Sequence, residues 1–212
     1  MESPNNNFFN TFQVQTKFLY SNIQPLLVQK NQEIIHDCFK EEIQKADQLK
    51  IAVGFSSYSS LWELDKLITQ HKIKNICLIL GMYFFNGFPK KLFKLALAIN
   101  SKWQKTGIGE IRVTYSLKYH GKLYCFIKND QITSAILGSP NLSFLTIADQ
   151  THLKQYEIAF FTNDSQLLES SVNHINRLAS QDISENIDVL KKKQLLSYKS
   201  TQYKRKRNFK ID

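Results

Sequence analysis

The run Tyr119-His120-Gly121-Lys122-Leu123-Tyr124-Cys125-Phe126-Ile127-Lys128 continues through Asn129-Asp130 into Gln131-Ile132-Thr133-Ser134-Ala135-Ile136-Leu137-Gly138-Ser139-Pro140-Asn141-Leu142-Ser143, and it sets the fold of this chain. Its first half alternates. His120, Lys122, Tyr124, Phe126 and Lys128 fall on one side, and Leu123, Cys125 and Ile127 on the other, which is strand periodicity. Asn-Asp between two such runs predicts a two-residue hairpin turn, because both residues tolerate positive φ. In that register Lys128 faces Gln131, opposed residue numbers sum to 259, and His120 stands across from Ser139 with Asn141 just beyond.

Upstream, the 3–4 spacing of Ile34, Ile35, Cys38, Phe39 and Ile43 predicts a helix over 31–49. Buried strands are expected at 50–55 and 75–80, a polar turn at 56–60, and helices at 61–70 and 90–103, with Pro89 at the start of the last. A further strand at 109–115 leads into the hairpin. Beyond it come a strand at 155–162 and a helix at 164–179 bearing Leu167, Leu168, Val172 and Ile175. This βαβαβ–hairpin–βα order implies an α/β fold: a mixed, partly parallel sheet with helices on both faces. Residues 1–15 are Asn/Gln-rich and expected to be poorly ordered at their beginning. The periodic pattern fades near Gln181, dividing the chain into a domain at 1–180 and a tail at 181–212.

The 212 residues suffice for one such domain with a substantial core. No apolar run is long enough to span a bilayer, and the opening Met1-Glu2-Ser3-Pro4 is not a secretory signal. Cys38, Cys77 and Cys125 lie far apart without metal-ligand or CxxC spacing. They read as buried apolar residues of a reducing compartment, and the cytoplasm is expected. The charge is uneven: residues 191–212 hold nine Lys/Arg and one Asp, a net of +8 of the chain's +10, leaving the body at +2.

His120 and Lys122, two apart on one strand, project to the same side about 7 Å apart. With Ser139 and Asn141 across the hairpin, they gather imidazole, ammonium, hydroxyl and amide, and neither strand of the hairpin carries a carboxylate. Such a set suits an anion with tetrahedral oxygens, phosphate or phosphodiester. Imidazole titrates near neutrality, so His120 can act as nucleophile or proton carrier. Glu157, the only acid in the apolar run Tyr156–Phe161, is expected to orient the imidazole, as the third member of a triad does. No His/Asp/Glu set has the spacing of a divalent-metal nuclease, so chemistry without metal or cofactor is expected.

His120-x-Lys122 followed by Gly138-Ser139-x-Asn141 resembles the half-site motif of the phospholipase D superfamily. The series Ile51-Ala52-Val53-Gly54-Phe55, Leu78-Ile79-Leu80-Gly81-Met82, Tyr119–Tyr124 and Gly138–Ser143 resembles more closely the NgoFVII-type, phospholipase D-like restriction endonucleases, over roughly residues 15–180. That resemblance implies metal-independent hydrolysis of DNA phosphodiesters through a covalent phosphohistidine. It implies that the chain is the catalytic part of a type II restriction endonuclease. One motif copy per chain implies a homodimer sharing one active site, with the two His120 side chains as nucleophile and acid. Lys122 and Asn141 would hold phosphoryl oxygens, with Ser139 and Ser143 as further donors. Glu157 would supply the carboxylate that the wider superfamily places five residues after the lysine, where this chain has Ile127.

Restriction enzymes of this branch usually carry a C-terminal domain that reads the target. The tail is then the stub of such a domain, with recognition left to a separate specificity subunit, or the enzyme is of low specificity. Lys191, Lys192, Lys193, Lys204, Arg205, Lys206 and Arg207 fit double-stranded DNA through its phosphates, without base reading. They equally fit anionic lipid headgroups. Two alternatives stand beside the nuclease: a phosphodiesterase on a non-DNA substrate, and a non-catalytic DNA-binding remnant of a restriction system.

Overall fold

A computed structural model describes residues 14–146 and 155–191. In chain order its elements are β1 (Thr16–Tyr20), β2 (Glu33–Ile34), α1 (Ile35–Lys45), β3 (Gln48–Val53), α2 (Tyr58–Gln70), β4 (Asn75–Leu80), α3 (Tyr83–Asn86), α4 (Lys90–Lys105) and β5 (Gly109–Thr114). They continue with β6 (Lys122–Lys128), β7 (Gln131–Gly138), β8 (Ile158–Thr162), α5 (Ser165–Leu178) and β9 (Ser184–Asn186). The strands form one sheet ordered β2-β1-β8-β7-β6-β3-β4-β5-β9. β3, β4 and β5 run parallel, while β6, β7 and β8 pair antiparallel beside them. This is the expected mixed, partly parallel sheet.

Both faces of the central strands are covered, which is why β3 and β4 read as nearly continuous apolar runs. Leu49, Ile51, Val53, Leu78, Leu80, Tyr124 and Phe126 meet Ile35, Phe39 and Ile43 of α1, Leu61 and Leu64 of α2, and Ala96 and Trp103 of α4. On the opposite face Ala52, Ile79, Leu123, Cys125 and Ala135 meet Leu168, Ile175 and Leu178 of α5. The helix α5 lies mainly over β3, β6 and β7. Beside it Phe18, Leu137, Ile158 and Phe160 remain exposed on the same face.

The hairpin turn forms as expected, with Asn129 and Asp130 at φ 49 and 62. The register does not carry through. Lys128 pairs with Gln131 and Ile127 with Ile132, but Phe126 pairs with Ser134, Cys125 with Ala135 and Leu123 with Leu137. A β-bulge at Thr133, whose hydroxyl donates to the Phe126 carbonyl over 3.2 Å, moves the sum of paired numbers to 260. His120 therefore does not stand across from Ser139, and pairing ends before either residue. The bulge follows from the two faces: it turns Ser134 toward Glu42 of α1 and leaves Ala135 under α5.

The expected helix over 31–49 is shorter, because Glu33–Ile34 pair with β1 and Leu49 is a strand residue. Asp47, buried between them, accepts from the Asn129 N–H over 3.2 Å and so ties the start of β3 to the hairpin turn. Ser57 caps α2 by accepting from the Ser60 N–H over 3.1 Å, which starts that helix three residues before the expected Leu61. The expected division after residue 180 falls inside the fold. β9 pairs with β5, and Ile187 and Leu190 join the core. Residues 1–13, and with them most of the Asn/Gln-rich start, lie outside the described residues.

All three cysteines are free thiols. Cys38 and Cys125 are buried and Cys77 only partly so. Burial raises their pKa to about 12, about 12 and about 11 respectively. Among the described residues no helix is long and apolar enough to cross a membrane.

Candidate active site

The parallel strands β3 and β4 end side by side, at Val53 and Leu80, and β6 begins there because Val53 pairs with Lys122. Ligands of open α/β sheets bind at such carboxyl ends. Gly54 and Gly81 follow directly. At Gly81 an added Cβ would collide with the Tyr119 carbonyl, and the Tyr119 N–H donates to the Gly81 carbonyl over 3.2 Å. That close approach sets the path of the chain into His120. At Gly54 an added Cβ would lie 2.9 Å from Cδ2 of His120 and 3.4 Å from Oδ1 of Asn141. The imidazole and the amide thus converge over a backbone with no side chain between them.

The imidazole is exposed, with the Phe55 ring edge-on to it at 6.1 Å between centroids. The Lys122 ammonium donates to the His120 carbonyl over 2.7 Å and lies 3.1 and 3.2 Å from Nδ1 and Nε2. Burial holds the Lys122 pKa below the ordinary lysine value, and the nearby Glu157 carboxylate opposes that shift.

Asn141 sits in a loop tied at three points. Its Oδ1 accepts from the Phe55 N–H over 3.0 Å, the Leu142 N–H donates to the Phe55 carbonyl over 3.2 Å, and the Ser57 N–H donates to the Leu142 carbonyl over 2.9 Å. From below, the buried Tyr124 hydroxyl donates to the Pro140 carbonyl over 2.8 Å. With its oxygen engaged, Asn141 keeps Nδ2 as the group available to an anion.

Glu157 precedes β8 rather than lying within a strand, and it is half-buried. The Ser139 hydroxyl donates to its Oε2 and accepts from the Ile158 N–H over 3.1 Å. Two expectations change here. Among the described residues the Glu157 carboxylate meets Ser139, and the imidazole nitrogens meet Lys122 instead. The Ser139 proton is engaged, so Ser139 supports Glu157 in this geometry. Ser143 is exposed, its N–H turned back to the Asn141 carbonyl over 2.6 Å.

The structure brings together His120, Lys122, Asn141, Ser139 and Glu157 at one end of the sheet. Lys191 is exposed and pairs with Asp188 at 2.7 Å, while Lys192, Lys193, Lys204, Arg205, Lys206 and Arg207 lie outside the described residues. Sequence reasoning gave no role to Tyr124, which supports the Asn141 loop, and read Gly54 only as part of a motif. A glycine closing an apolar strand does signal close approach. Nothing in the sequence marks Tyr124 out from other core aromatics.

The geometry has relatives. Nuc from Salmonella typhimurium, a phospholipase D family member, superposes with a TM-score of 0.53 at 15% identity, covering 78% of this chain and 93% of that one. NucT from Helicobacter pylori gives 0.52 at 14%, covering 78% and 95%. Phosphatidylserine synthase from Haemophilus influenzae Rd KW20 gives 0.50 at 11%, covering 82% and 40%. These likenesses establish the fold, which does not by itself name a substrate. No curated protein matches the sequence. The model of the NgoFVII restriction endonuclease N-terminal PLD domain matches residues 32–192, well over half of the chain, and the chain belongs to that family.

Proposed function

We propose that this chain is a nuclease that hydrolyses DNA phosphodiesters through a phosphohistidine on His120, without a metal ion, as the catalytic part of a type II restriction endonuclease. The observation that carries this reading is the convergence of His120 and Asn141 over Gly54 with Lys122 beside them. Family membership and the fold shared with Nuc and NucT support the nuclease class.

In this reading Lys122 and Asn141 Nδ2 hold the non-bridging phosphoryl oxygens, with Ser143 at the rim. A ring nitrogen of His120 attacks phosphorus, and the bond to the leaving strand oxygen breaks. The imidazolium of a second copy's His120 gives its proton to that oxygen. The now neutral second imidazole takes a proton from water, whose oxygen attacks phosphorus and breaks the P–N bond. Glu157, seated on Ser139 close enough to influence Lys122, balances the cationic site.

Each chain supplies one His120, so the two-histidine sequence calls for an isologous homodimer. The exposed Phe18, Leu137, Ile158 and Phe160 adjoin Ser139 and Glu157 along β7 and β8, and such a patch favours a partner there. The basic residues 191–193 and 204–207 add phosphate contacts that salt weakens, target choice is left to a separate specificity subunit, and the cytoplasm gives access to DNA. Nicking of supercoiled DNA in excess chelator, by the wild-type chain and by His120→Ala, tests the proposal. Cleavage that survives chelation and disappears in the variant supports it. Cleavage that requires magnesium overturns it.

A further inference from the structure

Helix α2 carries an exposed aromatic row that the chemistry above does not use. Tyr58 and Trp62, one turn apart, are 52% and 48% exposed, although α2 buries Leu61, Leu64, Leu67 and Ile68 on another side. One further turn on, the Lys66 ammonium stands 3.5 Å from the centre of the Trp62 ring. Residues four apart share a helix face, so the three form one row about 12 Å long.

The row begins at the site. Ser57, the cap of α2, is bonded to Leu142, and the Thr146 hydroxyl lies 3.0 Å from that of Ser59. The first turn of α2 is therefore pinned to the segment that carries Asn141 and Ser143. The charge nearby suits a polyanion. Asp65 is neutralised by Lys102 at 2.8 Å and bonded by the Trp103 indole N–H at 2.8 Å, and Glu63 lies 3.4 Å from Lys66. The adjacent helix α4 exposes Lys90, Lys91 and Lys94 in its opening turns.

We propose that Tyr58, Trp62 and Lys66 form a stacking track for the bases of a nucleic-acid strand whose phosphate occupies the His120 site. The inference rests on the nucleic-acid reading above and adds the state of the strand. Aromatic platforms beside cations bind bases through their faces without regard to sequence, and those faces are free only where the strand is unpaired. A base reaching Trp62 displaces the Lys66 ammonium from the ring toward the adjoining phosphate. The track then engages the unpaired bases that appear at the frayed flank of a nick once one strand of the duplex has been cut.

The chain's two tryptophans make the test direct, because Trp103 is fully buried and Trp62 alone faces solvent. Oligothymidylate is titrated into full-length His120→Ala protein while tryptophan emission is followed. An abasic oligodeoxynucleotide of equal length serves as control, and labelled-strand anisotropy reports binding independently. The track predicts quenching by oligothymidylate, little by the abasic strand, and about tenfold weaker binding of oligothymidylate in Trp62→Ala. Three outcomes overturn it: no binding, binding without quenching, or equal affinity of Trp62→Ala and its parent with circular dichroism unchanged. Cleavage by the wild-type chain is scored separately. Cleavage without quenching overturns the track alone, and quenching without cleavage overturns the nuclease reading alone.

Discussion

The N–H of Phe55 donates to Oδ1 of Asn141 over 3.0 Å, so the backbone leaving β3 fixes the side chain that follows β7. This bond orients the amide. Its oxygen is held by the protein and its NH2 is left for an anion. Asn141→Asp keeps an acceptor for Phe55 but replaces the free donor with a second carboxylate oxygen that repels phosphate. The expected result is a folded protein whose cleavage rate falls by about 100-fold or more, read by single-turnover kinetics alongside thermal unfolding.

Gly54→Ala probes the same convergence from beneath. Its new methyl would lie 2.9 Å from the His120 ring, and that ring is at the surface and can move aside. Stability is therefore expected to change by about 1 kcal/mol or less, while displacement of the imidazole lowers turnover by about 100-fold. Chemical denaturation together with turnover measures both. A loss of activity that merely tracks a loss of folded protein would contradict this account of Gly54.

The pH dependence has a definite sign. Burial lowers the Lys122 pKa, so this ammonium loses its proton at a lower pH than an ordinary lysine, and phosphate affinity falls with it as pH rises. The alkaline limb of the rate profile is expected below the ordinary lysine value. In Lys122→Arg the charge persists and the limb moves to higher pH or disappears, whatever the overall rate. An alkaline limb that stays in place in Lys122→Arg assigns it to another group.

Much of this was legible because periodicity marks buried strands and amphipathic helices. Ile76–Leu80 and, on α5, Leu168 and Ile175 were readable in that way. Leu167, expected on the same apolar face, is exposed, and Leu178 is buried instead. The Asn129-Asp130 turn was readable from its residue types. The bulge at Thr133 was not, because it answers to packing on both faces of the sheet: Ser134 finds Glu42 and Ala135 fits under α5. The short strands β1, β2 and β9 escaped for a related reason. Their few residues gain strand structure from neighbours distant in sequence, as Thr16–Tyr20 does from β8. His120, Lys122 and Asn141 were legible as a constellation. The seat of Glu157 on Ser139 was not, since it depends on where β8 begins.

The apolar patch beside α5 gives a prediction about assembly. The rings of Phe18 and Phe160 pack against each other, tilted, at 4.2 Å between centroids on a face that α5 leaves open. If a second copy covers it, Phe160→Asp gives a monomer by light scattering, keeps its helical circular dichroism, and loses cleavage because the site needs both copies. A Phe160→Asp protein that remains dimeric, or a wild-type monomer that cleaves, would contradict this interface.

The covalent step is the centre of the account. Rapid acid-free quenching of the full-length protein during turnover of an end-labelled strand, followed by intact-mass and peptide mapping, looks for it directly. The account predicts a strand-linked protein whose adduct maps to His120, survives base, is released by acid, and forms in the presence of chelator. An adduct on another residue, or steady cleavage with no adduct at any time point, would contradict it.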